Sequence, residues 1–167
     1  MTFLEKNLED IIWESDNIIL QQRNLPIEGR KLRQLRIGNY GVSDIITYTR
    51  KYKETHRLEP YLEITIYELK KEKIGISAFL QSLKYAKGIQ SYLEKHKPYI
   101  DFVLNIVICG KKVDLSGEFI YIPSLINSFE NFGSINEIKF LTYDYLIDGI
   151  NFINLNDFEY NLSNKGF

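Results

Sequence analysis

Residues 61–69 alternate with period two: Ile64 and Ile66 are interleaved with Thr65 and Tyr67, which indicates a strand with at least one buried face. The segment runs out on Glu68-Leu69-Lys70, an acid and a base two apart. Residues two apart on a strand share a face, so Glu68 and Lys70 project together while Leu69 points to the buried side. The period then changes. Ile76, Phe79, Leu80, Leu83, Ala86, Ile89 and Leu93 form the apolar stripe of an amphipathic helix, with Ser77 as a candidate cap and Pro98 as a stop. Residues 102–109 follow as a mainly apolar run of strand length.

The flanking segments complete an alternation of elements. Thr2-Phe3-Leu4-Glu5 has the spacing of a capping box, and Leu4, Leu8, Ile11 and Ile12 recur at helical spacing, which predicts a first helix over 3–14. Residues 18–22 extend it or form a second short piece, and 26–29 break the pattern. Residues 34–37 read as a short strand, 38–41 as a turn, 42–50 as the returning strand and 50–60 as a polar hairpin loop. Beyond 109, a short strand is expected within 113–122, a short helix at 125–132, and last strands at 135–145 and 150–155 that turn at Asp148-Gly149. The order α-β-β-β-α-β predicts an α/β fold: a central mixed sheet flanked by helices.

No linker rich in Pro, Gly or Ser divides the 167 residues, so one domain over 1–167 is expected. One cysteine, Cys109, excludes an internal disulfide framework and suits a reducing, cytoplasmic setting. Residues 1–10 are mixed and charged, unlike a secretory leader, and no apolar run approaches the roughly 18 residues of a membrane span. Charge is unevenly spread. Residues 1–100 hold 17 Lys/Arg and 13 Asp/Glu, a net of +4, and residues 101–167 hold 4 and 9, a net of −5. A polyanion would therefore sit over the first part, although asymmetry of this size is also common in small domains.

Val42-Ser43-Asp44-Ile45-Ile46 sets a carboxylate among β-branched neighbours. If that strand pairs with 61–69, Asp44 lies beside Glu68. Two carboxylates so placed repel unless a hard cation sits between them, and Mg²⁺, with Mn²⁺ as a substitute, is the usual solution. Such an ion polarises a phosphate and lowers the pKa of a bound water, and Lys70 would orient that water or offset the developing charge. Gln81 and Tyr85, four apart, share a helical face expected to differ from the apolar stripe, with Lys84 and Lys87 beside it.

Taken in order, Asp44, then Glu68-Leu69-Lys70, then Gln81-Ser82-Leu83-Lys84-Tyr85 resemble the PD-(D/E)xK nuclease superfamily of restriction-endonuclease-like fold, in its branch with a Q-x-x-x-Y motif. Arg33-Gln34-Leu35-Arg36-Ile37-Gly38 is similar to the segment before its first acidic motif. Glu9 matches an acid on its first helix, with Glu5 and Glu14 as competitors. The resemblance covers roughly 5–95, with 101–155 completing the sheet. It implies that Asp44, Glu68 and the Leu69 carbonyl ligate Mg²⁺, that Lys70 is catalytic, and that Glu9, Gln81 and Tyr85 support them. Ser43 departs from the family's frequent proline before the aspartate. The implied reaction is hydrolysis of phosphodiester bonds, in DNA first, with RNA or a cyclic oligonucleotide as alternatives.

Arg33, Gln34, Arg36 and Lys84 are the candidate nucleic-acid contacts, and the basic cluster that Arg33 and Arg36 form with Arg30 and Lys31 reads equally well as a solvated edge. His56 and His96 lack partners at zinc spacing, and Cys109 reads as core. The alternative function is a nuclease-fold module that binds nucleic acid or protein without cleaving. A chain this short could draw specificity from a homodimer or a larger complex.

Overall fold

The computed structural model describes residues 5–54, 59–114 and 135–155. Helices α1 (Glu5–Glu14) and α2 (Asn17–Gln22) lead into strands β1 (Arg30–Arg36), β2 (Val42–Tyr52) and β3 (Pro60–Leu69). A short β4 (Lys73–Ile74), the long helix α3 (Ile76–His96), β5 (Phe102–Gly110) and β6 (Lys112–Val113) follow, then β7 (Ile135–Leu146) and β8 (Gly149–Asn154). Six strands form one sheet in the order β1-β2-β3-β5-β7-β8, and β4 pairs with β6 in a second, two-stranded sheet. Pairing is antiparallel from β1 to β3, parallel from β3 through β5 to β7, and antiparallel again at β8. This is an α/β fold with a central mixed sheet. The expected strand within 113–122 and helix at 125–132 fall outside the described residues, apart from Val113 in β6 and Asp114 after it. His56 and Thr2 lie outside them too.

Strand alternation splits the core in two. Ile46, Ile64, Ile66, Leu104, Ile106, Ile108, Ile138 and Phe140 point toward α3. Ile45, Tyr67, Leu69, Val107, Cys109, Leu141 and Tyr143 point toward Leu8 and Ile12 of α1 and Leu20 of α2. Each fully buried Ile, Leu or Phe contributes about 1.5–3 kcal/mol of apolar transfer, so both layers are held by ordinary hydrophobic burial. Cys109 lies in the second layer, fully buried, and burial pushes its thiol well above the ordinary range. Among the described residues no helix is long and apolar enough to cross a membrane.

Helix α3 differs from its sequence reading in which face it buries. Ile76 and Leu80, expected in the apolar stripe, are 50% and 56% exposed, whereas Ala78, Ser82 and Tyr85 are buried beside Phe79, Ala86 and Leu93. The stripe is rotated because two polar side chains have their hydrogen bonds met inside. The Ser82 hydroxyl donates to the Ala78 carbonyl at 2.8 Å, and the Tyr85 hydroxyl donates to the Val42 carbonyl at 2.7 Å. A buried polar group costs little once it is paired. The helix begins one residue after Gly75, so Ser77 is inside the first turn and not its cap.

Gly88 sets the depth of α3. A Cβ there would stand 2.6 Å from Ile37 Cγ2 and 2.7 Å from Tyr40 Cδ2. Glycine in a helix interior costs about 1 kcal/mol against alanine, and here it lets the helix press onto the 3₁₀ turn Gly38–Tyr40 between β1 and β2. That contact carries the N-terminal half of α3 over the start of β2.

Candidate functional site

The register of the sheet lines up the acidic residues. Ile45 faces Tyr67 and Ile46 faces Ile66, so one step further sets Asp44 opposite Glu68. On the other side, Arg33 faces Ile45 and Leu35 faces Ser43, which sets Gln34 opposite Asp44. Glu68 stands beside Ile108, and Ile108 beside Phe140. Gln34, Asp44, Glu68, Ile108 and Phe140 thus occupy one row across five strands. The row lies near the ends of β3 and β5 and the start of β2.

Asp44 and Glu68 are on the α3 face, since they alternate in step with Ile46 and Ile66 of that layer. Glu68 is 1% exposed. Its Oε1 meets the Lys70 ammonium at 2.7 Å, the same-face pairing that their spacing requires. Asp44 Oδ2 accepts the Leu69 N–H at 2.9 Å. The Lys70 N–H donates the other way, to the Cys109 carbonyl at 2.7 Å. Along a strand successive peptide groups alternate sides, so the Leu69 carbonyl is directed toward β2. Two carboxylates and an ammonium therefore lie at one strand end.

Helix α3 brings the phenol of Tyr85 to this place. Its hydroxyl donates to the carbonyl of Val42, two residues before Asp44, and accepts a short hydrogen bond from the Gln81 amide. Burial holds the phenol above its ordinary pKa. The Gln81 hydrogen bond opposes this, the Glu68 and Asp44 carboxylates reinforce it, and Lys70 partly offsets them. Contrary to the expectation from sequence, Tyr85 belongs to the buried stripe of α3 and not to a separate face; Gln81 is half-buried beside it. Gly41, at φ +122°, completes the seat: a Cβ there would approach the Tyr85 ring to 3.0 Å.

Glu9 is 7% exposed on α1 and belongs to a different cluster. Arg33 forks across Glu9 and Asp10, one short hydrogen bond to each, and the Gln34 amide donates to Glu9 at 2.8 Å. Consecutive strand residues ordinarily point to opposite faces. Arg33 and Gln34 both reach Glu9 because Gln34 has a left-handed backbone, φ +50°. The side chains of Arg33 and Gln34, read from sequence as nucleic-acid contacts, thus have intramolecular partners on α1, Arg33 half-buried and Gln34 exposed. Arg36 and Lys84 are exposed and form no ion pair among the described residues. Glu14 is exposed on α1, and the side chain of Glu5 is outside the described ones.

Sequence reasoning passed over Asp10, Gly41 and the Val42 carbonyl. Gly41 follows a turn signal and directly precedes the Asp44 strand, a position that a search for close backbone approaches would have flagged. Among the described residues no group of three or more His, Cys, Asp or Glu side chains gathers around one point. The donor set at the row is two carboxylates with backbone oxygen. The chain matches no protein-family model, no curated protein and no solved structure.

Proposed function

We propose that this chain is a Mg²⁺-dependent nuclease of the PD-(D/E)xK kind, on a restriction-endonuclease-like core, that hydrolyses phosphodiester bonds in DNA. The observation that carries the reading is the opposition of Asp44 and Glu68 across β2 and β3, with Lys70 paired to Glu68 and the Tyr85–Gln81 pair of α3 alongside. A carboxylate 1% exposed is poor structural material. Replacing a buried ion pair by apolar residues of similar volume is often neutral or stabilising, and Ile46, Ile66 and Ile108 show what the surrounding layer otherwise uses. The charge is therefore explained by chemistry better than by stability.

The donors fit a hard cation. Carboxylate and carbonyl oxygens suit Mg²⁺, which keeps several waters and needs only one or two protein carboxylates. Asp44, Glu68 and the Leu69 carbonyl would hold it. Bound there, it would polarise the phosphate and acidify a water. Lys70 would orient the nucleophilic water and offset charge on the phosphate oxygens. Tyr85, kept protonated by burial and by the two acids, pins the Val42 backbone and with it the position of Asp44.

The test is cleavage of plasmid, linear and single-stranded DNA, and of RNA, with and without Mg²⁺ or Mn²⁺. Metal-dependent cleavage that is lost in Asp44→Ala, Glu68→Ala and Lys70→Ala supports the site, and undiminished cleavage by Glu68→Ala overturns it. A second reading, a nuclease-fold module that binds nucleic acid or protein without cutting, draws on one observation: Asp44 and Lys70 already have intramolecular partners. Binding indifferent to metal and to these substitutions, with no cleavage of any substrate, would establish it.

A further inference from the structure

The cations best placed to hold a nucleic acid near the acidic row lie at the ends of β3 and β5. Lys70 and Lys71 follow β3, Lys73 opens β4, and Lys111 and Lys112 follow β5. The β4–β6 pairing sets Lys73 beside Lys112 and draws the two chain segments together, with the Lys112 N–H on the Glu72 carbonyl at 2.9 Å. Lys70 is taken by Glu68 and Lys73 by Asp114 at 2.8 Å. Lys111 and Lys112 are exposed, Lys71 is half-buried, and none of the three forms an ion pair among the described residues. On the far side of the row, Arg36 ends β1 opposite Val42, also exposed and without an ion pair among those residues.

We infer that a nucleic-acid backbone crosses the end of the sheet at right angles to its strands, held at one side by Arg36 and at the other by Lys111 and Lys112, with the acidic row between. The span is set by the sheet itself. From β1 to β5 there are three strand spacings, about 14 Å, the axial length of about four base pairs of duplex. An anion over Asp44 and Glu68 alone would be repelled. Flanking cations on both sides supply the attraction that the acids remove, and they sit where neighbouring phosphates fall. The assignment replaces Arg33 and Gln34, whose side chains are held by Glu9 and Asp10. It rests on the nuclease reading for the place of the scissile phosphate, and on the exposed lysines for the binding surface.

Equilibrium binding of fluorescent DNA, measured against salt in EDTA so that no cleavage occurs, tests it. Lys111→Ala/Lys112→Ala should weaken binding and lower the slope of log K against log salt by about 1.4–1.8, the value for two phosphates no longer neutralised. Arg36→Ala should lower it by about 0.7–0.9. Arg50→Ala, toward the far end of β2 from Asp44, should leave it unchanged. An unchanged slope in the double lysine variant overturns the surface, and intact cleavage in the same variant would show that the nuclease reading stands without it. Lysine-dependent binding in a protein that cleaves nothing would overturn the nuclease reading and keep the surface.

Discussion

Two acid–base clusters of the same composition sit on opposite faces of one sheet, each with two carboxylates and one cation. On the α1 face Glu9 and Asp10 share Arg33, with Gln34 as a further donor. On the α3 face Asp44 and Glu68 stand near Lys70. The cation makes the difference. A guanidinium is a rigid planar fork that satisfies two acids at once, whereas an ammonium is a point charge on a flexible stem that turns readily to a new partner. The first cluster is a clasp between α1 and β1. The second holds an ammonium whose side chain is a quarter exposed beside a buried acid.

The sharpest way to break this contrast is at Glu68. Glu68→Ala and Asp44→Ala should each lower metal-dependent cleavage by about 10³-fold or more, measured as single-turnover rates. Glu68→Gln should lose cleavage equally yet match or exceed the thermal stability of the parent, because it removes a buried charge and keeps the shape. Lys70→Ala should do the reverse for stability, leaving a buried carboxylate uncompensated at a cost of about 3–5 kcal/mol by denaturant unfolding. If Glu68→Gln is as unstable as Lys70→Ala, the pair is a structural clasp like the other one and the contrast fails.

On the α1 face, Arg33→Ala should cost about 2–4 kcal/mol of stability without changing the salt slope of DNA binding. Arg33→Lys should restore only part of the loss, since one ammonium cannot span both acids. A smaller effect is expected at Gly41→Ala: about 1–3 kcal/mol for a positive-φ extended backbone that glycine alone adopts readily, with a fall in cleavage rate as the Tyr85 ring is displaced.

The smallest effect is in alkali. Tyr85 and Tyr67 are both held above their ordinary pKa, chiefly by burial. In the unfolded chain they ionise near pH 10. Above that the unfolded state binds fewer protons than the folded one, so stability falls as pH rises past about 10 and is unaffected well below it. Tyr85→Phe should shallow that decline in unfolding measurements made across the alkaline range.

Period and turn chemistry made most of the sheet legible. The 61–69 alternation and the apolar 102–109 run correspond closely to β3 and β5, and the spacing of Glu68 and Lys70 foretold one face for both. What stayed hidden depends on tertiary partners. Ile76 and Leu80 look like core and are exposed, while Ser82 and Tyr85 look like surface and are buried, because the carbonyls of Ala78 and Val42 are there to receive them. Nothing in Arg33-Gln34 announces a left-handed residue, and without it the pairing of both with Glu9 is not deducible. The opposition of Asp44 and Glu68 needed the β2–β3 register, which the loop between the strands does not specify.

The left-handed Gln34 has a further consequence. Among the described residues β1 is an edge of the sheet, and an exposed flat edge invites another strand to add to it. Midway along β1 the backbone departs from the extended form, and Arg30 and Arg36, both exposed, stand at its two ends. An incoming strand would find the hydrogen-bonding ladder interrupted halfway and like charges on either side of the gap. The residue that turns toward Glu9 also makes the rim a poorer template for a further strand.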